Sequence, residues 1–142
     1  MSGVAAAPAT AAVVADTHAL IWYLDAPQNL SPVALAALDG ATAAGEAIYL
    51  SAISLVEVTY LVEKGRLPGA TQVSLDRALG APGAALAVVP LDRAVARALA
   101  SISRTDVPDM PDRIIAVTAL HLNVPLVTRD LKIQASSVVT IW

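Results

Sequence analysis

Residues 109–130, DMPDRIIAVTALHLNVPLVTRD, hold a helix and a strand whose outer ends point to one place. Asp109 stands where a helix N-cap belongs, and Pro111 suits the first turn, where its missing N–H costs nothing. Ile114, Ile115, Val117, Ala119, Leu120 and Leu122 make the helix apolar almost all round, which predicts burial. Asn123 and Pro125 end it. Leu126-Val127-Thr128 then reads as a short inner strand, closed by Arg129-Asp130. One helix start and one strand end therefore each offer an aspartate, and in an open α/β sheet that edge is where ligands bind.

Outward from this stretch the pattern repeats. Val13–Ala15 reads as a strand that turns at Asp16 into a helix carrying Thr17, His18, Leu20, Ile21 and Trp22. Ser31-Pro32 restarts a helix to about Ala44, and Ile48–Leu50 is a second strand. The helix from Ser51 to Lys64 is closed by Gly65, and another covers 71–79. Residues 85–89 form a third strand, 91–102 a helix, and 138–141 a last strand. Short β-rich runs alternating with helices require crossover connections, hence a parallel sheet with helices on both faces.

The length of 142 residues fits one domain, residues 13–142, behind an alanine-rich tail at 1–12 that reads as flexible. No apolar run approaches the roughly 20 residues needed to span a bilayer, and the tail lacks the marks of a signal peptide, so a cytoplasmic protein is expected. Without cysteine there is neither a disulfide framework nor a thiolate metal site. A net charge of −3 argues against broad nucleic-acid binding but leaves room for a local basic rim.

Only twelve side chains are acidic, so their placement is informative. Asp16, Asp112 and Asp130 are each explicable alone as helix caps, worth about 1 kcal/mol, and Asp92 reads as nothing more. Glu57 is different. Ser54 to Glu57 has capping-box spacing, yet Ser51 is the better-placed cap, and that leaves Glu57 on an apolar stripe between Ile53 and Leu61. Glu63 is a solvated charge. Together Asp16, Glu57, Asp112 and Asp130 fall on one edge of the expected sheet. If they converge, each close pair repels by about 3 kcal/mol at ~5 Å and an effective dielectric near 20. Protons or a divalent cation must neutralise them, and an all-oxygen donor set selects Mg²⁺ or Mn²⁺ over Zn²⁺.

The stretches VVADTHALIWYLD, SAISLVEVTYLVEKGRL and DMPDRIIAVTALHLNVPLVTRD, in that order and spacing, closely resemble the PIN-domain ribonucleases, and within them the VapC toxins of bacterial toxin–antitoxin pairs. The resemblance covers nearly the whole chain from Val13. It implies a three-layer fold around about five parallel strands, with Asp16, Glu57, Asp112 and Asp130 at the family's acidic positions. Thr128 matches the hydroxyl that precedes the last acid by two residues. Asp109 matches a DPxD-like turn, although Met110 stands where some members have proline. The implied activity is Mg²⁺-dependent hydrolysis of RNA, with a cognate antitoxin and a second copy of the chain as partners.

On that reading Asp16 and Asp112 are the principal metal ligands, and Glu57 and Asp130 complete the shell or orient the nucleophile. Thr17, Thr128 and Asp109 are supporting positions, the two hydroxyls fixing carboxylate rotamers. Arg113, Arg129 and Lys132 form a phosphate-holding rim, or are ordinary surface charges. His18 and His121 are not assigned to catalysis. Trp22, Tyr23, Tyr60, Leu61 and Val62 carry more apolar surface than a small domain buries, which marks a partner site. The competing readings are a phosphatase using Asp16 as nucleophile, and a silent PIN fold or receiver-like binding module. The first normally wants an aspartate where His18 stands, and a receiver wants a lysine better placed than Lys132.

Overall fold

Alternate residues of each short strand face opposite layers, and this sorts the hydrophobic side chains into two cores. The computed structural model describes residues 11–142, so all but the last two residues of the expected tail lie outside it. Its elements are β1 (Val13–Ala15), α1 (Thr17–Asp25), α2 (Pro32–Ala43), β2 (Ile48–Ser51), α3 (Ala52–Glu63), α4 (Gly69–Gly80) and β3 (Leu86–Val89). There follow α5 (Arg93–Ala98), α6 (Met110–Leu122), β4 (Leu126–Val127), α7 (Leu131–Gln134) and β5 (Thr140–Ile141). Val13 and Ala15 pack with Leu20, Leu38, Ile48 and Leu50 beneath α1, α2 and α4. Val14 and Leu126 point the other way, onto Ile115, Val117 and Ile133 beneath α5, α6 and α7.

The sheet has five strands in the order β3-β2-β1-β4-β5, and all four pairings are parallel. The chain winds outward from β1 through β2 to β3, then returns to the other side of β1 for β4 and β5. The boundary between β1 and β4 is the point where the winding reverses, where a crevice opens outside the strand carboxyl ends. Val14 pairs with Leu126 and Ala15 with Val127, so Asp16 and Thr128 leave the sheet side by side.

Several expected boundaries shift. The helix read over 91–102 is α5 alone, capped by Asp92 and continued by a 3-10 turn at Leu99–Ser101. The last strand shrinks to Thr140–Ile141. The short α7 had no apolar period to announce it and exists because Asp130 caps it, accepting from the Lys132 and Ile133 N–H groups at 2.8 and 3.1 Å. Burial of α6 runs from Ile114 to Ala119 only, and Leu120 is exposed. The expected apolar patch divides: Trp22, Tyr23 and Val62 pack partly against the core, while Tyr60 is exposed beside Val56 of the same helix.

Asn123 ends α6 in the left-handed region, at φ 56°, with its N–H returning to the helix carbonyls. Asparagine tolerates this conformation and β-branched residues do not. Asn123→Val is expected to cost roughly 1–2 kcal/mol in urea unfolding, while Asn123→Gly stays within a few tenths of the parent.

Candidate active site

Two threonines stitch the acidic residues together. Thr128, fully buried after β4, donates from Oγ1 to Asp16 Oδ2 at 2.6 Å and accepts from the Asp130 N–H at 3.0 Å. Thr17, buried at the start of α1, donates to Glu57 Oε1 at 2.7 Å, and its N–H bonds Asp16 Oδ1 at 2.7 Å. A continuous chain of hydrogen bonds therefore links Glu57, Thr17, Asp16, Thr128 and Asp130, drawn from β1, β2 and β4 and the helices that follow them. Gln134 holds the far side by donating to the Thr128 carbonyl at 3.0 Å.

Asp112 enters from the first turn of α6, whose N-terminus lies at the same edge because that helix runs back against the strands. Asp109 caps this helix, accepting from the Asp112 N–H at 3.1 Å. Its role is to aim the first turn, and its charge adds to the crowd. Burial pushes the Asp112 carboxyl up to about 7, reinforced by the negative charges of Asp109, Asp16, Asp130 and Glu57. Burial likewise raises Asp16, opposed by the hydrogen bonds from Thr128 and Thr17. Glu57 is raised first by burial and then by Asp16 and Asp109, against the Thr17 hydrogen bond.

The two hydroxyls named from the sequence thus each hydrogen-bond a carboxylate, Thr17 that of Glu57 and Thr128 that of Asp16. Ser51 caps α3, accepting from the Ile53 N–H at 3.2 Å, so no Ser54 capping box competes for Glu57. Ser54 instead lies 2.7 Å, Oγ to Oγ, from Thr17, a contact that sequence reasoning missed. The sequence placed Ser54 three residues before Glu57 but carried no sign of a partner 37 residues away.

The basic residues divide. Arg129 is exposed and lies over the Trp22 ring, 4.6 Å from its centroid, in a cleft of about 260 Å³ floored by Asp16, Asp112 and Asp130. Lys132 lines a second groove, on which Asp109, Asp112 and Asp130 also open. Arg113 departs from the expected rim. Its guanidinium donates to the carbonyls of Ile102 at 2.8 Å and Leu99 at 3.1 Å, completing the helix end before the site. His18 is exposed at the cleft and tilts against Trp22, whereas His121 is exposed on the last turn of α6.

Among the described residues no three acidic or histidine side chains already form a finished metal cage. The donor chemistry nonetheless fits a hard divalent cation. Every candidate ligand is a carboxylate oxygen, and the burial and surrounding negative charges that raise Asp112 are what a cation's charge would offset. Mg²⁺ keeps several waters and needs only one or two direct carboxylates.

Comparison with known proteins agrees with this fold. A family profile described as PIN domain matches residues 13–137, and the chain belongs to that family. VapBC2 from Rickettsia felis, bound to a DNA fragment from their promoter, contains a similar chain: TM-score 0.69, 19% identity, covering 91% of this chain and 96% of that one. FitAcB from Neisseria gonorrhoeae gives 0.61 at 25% identity over 90% and 95%. FitAB bound to an IR36 DNA fragment gives 0.61 at 24% over 90% and 92%. Comparison with curated protein sequences gives no match. The α/β fold implied by the three motifs is borne out.

Two outcomes follow from the crowded acids and their hydroxyl partners. The unfolded Asp112 loses its proton near pH 4 and the folded one near 7, so between these values the folded state binds more protons and stability falls as pH rises. Asp112→Asn should therefore stabilise the metal-free protein at pH 8 by about 1–2 kcal/mol, discounted for solvent screening, and the gain should vanish below pH 4. A drop at pH 8 would instead make Asp112 a structural cap. Thr128→Val should weaken divalent-cation affinity about 10- to 100-fold, as loss of a ligand-orienting partner does, and Thr128→Ser should restore most of it in calorimetric titrations.

Proposed function

We propose that this chain is a divalent-metal-dependent endoribonuclease of the VapC toxin type, neutralised by a cognate antitoxin. The observation that carries the reading is Asp112: one half-buried carboxyl on which the charges of Asp109, Asp16, Asp130 and Glu57 all bear, at the carboxyl edge of a parallel sheet in a PIN-family chain. Such a group is of little use to stability and suited to holding a cation.

Asp16 and Asp112 are the principal holders of the ion, Mg²⁺ with Mn²⁺ as substitute. Glu57 and Asp130 complete its surroundings or orient the attacking water. The ion, when bound, supplies a more acidic water and charge neutralisation at the scissile phosphate. Thr17 and Thr128 hold the Glu57 and Asp16 carboxylates in fixed rotamers, and Asp109 sets the direction from which Asp112 enters. Arg129 and Lys132 stand on either side of the acids, where they hold the phosphates of an RNA strand.

An antitoxin is supported by the resemblance to the VapBC2 and FitAB chains, both solved in complexes bound to DNA. The exposed Val56 and Tyr60 of α3 and Val73 of α4 offer apolar surface for a second copy of the chain. A cytoplasmic location accords with an RNA substrate.

Purified protein should cleave RNA on addition of Mg²⁺ or Mn²⁺ and stop on chelation. Asp16→Asn or Asp112→Asn should lower kcat about 100- to 1000-fold, the scale of losing one electrostatic anchor, while the protein stays folded. At limiting Mg²⁺ the rate should climb with pH to about 7, because the proton on Asp112 must leave before the ion enters. Cleavage indifferent to metal, or a phosphoryl group trapped on Asp16, would overturn the reading, the second in favour of a phosphatase.

A further inference from the structure

We propose that the wall formed by Trp22, Trp142 and Arg129 is a stacking subsite for one unpaired nucleobase next to the scissile phosphate. The inference rests on the ribonuclease reading and adds a substrate form to it: single-stranded RNA, read on one side of the cut.

The chain has two tryptophans and no phenylalanine, so its largest rings would be expected to fill the core. Both instead meet at the acidic cleft. Trp22 comes from α1 and Trp142 follows β5, and their ring centroids lie 6.1 Å apart at 54°. Each packs part of its body on the core and stays half-buried, keeping ring surface toward the cleft. The topology explains the meeting. β5 lies beside β4, so the residue after it emerges at the edge where Asp16 and Asp130 emerge.

Arg129 sharpens the assignment. Its guanidinium lies 4.6 Å from the Trp22 centroid and one residue from Asp130. Stacked in this way it still has donors for a phosphate and a second planar face for a base. The cleft of about 260 Å³ accepts a single nucleotide-sized group rather than a paired helix.

The groove on the other side of Asp112 and Asp130 is unlike it. Val107, Pro108, Leu131 and Lys132 line that groove, with no aromatic ring among them. A strand laid across the acids would therefore be stacked upstream or downstream of the cut, not both. A base in a duplex already has both faces covered and gains nothing from the wall.

Because the chain has only these two tryptophans, its tryptophan emission, excited selectively over that of its three tyrosines, reports on the subsite alone. Binding is measured with the Asp112→Asn chain in Mg²⁺, using a short mixed-sequence single-stranded RNA, the same RNA as a duplex, and an abasic ribose-phosphate oligomer. The single strand should quench the emission, and the other two should not. Trp22→Leu and Trp142→Leu should each weaken single-strand binding about 5- to 150-fold, and Trp22→Phe should retain most of it. In the otherwise unaltered chain, an abasic position beside the cut should lower kcat/KM by a similar factor, and Trp142→Leu should then add little. Equal quenching by the abasic oligomer, additive losses, or tryptophan variants that bind RNA normally but lose a protein partner would overturn the subsite. Quenching without any metal-dependent cleavage would instead overturn the ribonuclease reading.

Discussion

Burial of carboxylates that also repel one another, held in place by hydroxyls, is the constraint on which this molecule turns. Asp16, Glu57 and Asp112 are all raised above their ordinary range, with burial as the leading cause in each. Thr128 and Thr17 oppose this at Asp16, and Thr17 opposes it at Glu57. Asp112 has no such hydroxyl partner, and burial together with the surrounding charges pushes it up to about 7. The network therefore leaves one group to carry the unrelieved charge. On the proposed reading, that is the group at which a cation would replace a proton.

The fold makes the crowding unavoidable. Short parallel strands buried on both faces need helices above and below, and every helix that follows a strand starts at the same edge. The winding reverses between β1 and β4, so residues 16 and 128, more than a hundred positions apart in the chain, come within 2.6 Å. The two cores on either side of the sheet fix this register, since a one-residue slip would send Val14 and Leu126 to the wrong layer. Side-chain packing far from the acids thus sets the distance between them.

Much of this was legible in the sequence. The helix–strand unit over 109–130, the alternation of β-rich runs and helices, and the anomalous Glu57 on its apolar stripe all had local signatures. So did the paired hydroxyls, each adjacent to or two residues from an acid. What the sequence hid was anything set by long-range approach. Arg113 stands beside Asp112 in the chain, but its guanidinium turns to the carbonyls of Leu99 and Ile102, which only the tertiary path brings near. The same holds for Trp142, which reaches the cleft because of strand order, and for Ser54, whose partner Thr17 lies 37 residues away. The short α7 was invisible because a single cap, not a pattern, sustains it.

A titration of the Asp112 carboxyl carbon by NMR, without and with Mg²⁺, tests the central claim most directly. The account predicts a midpoint of about 7 in the metal-free protein, moving down by several units when Mg²⁺ is added. A midpoint near 4 that ignores the ion would show an ordinary surface aspartate, with no crowding to relieve and no cation site built upon it.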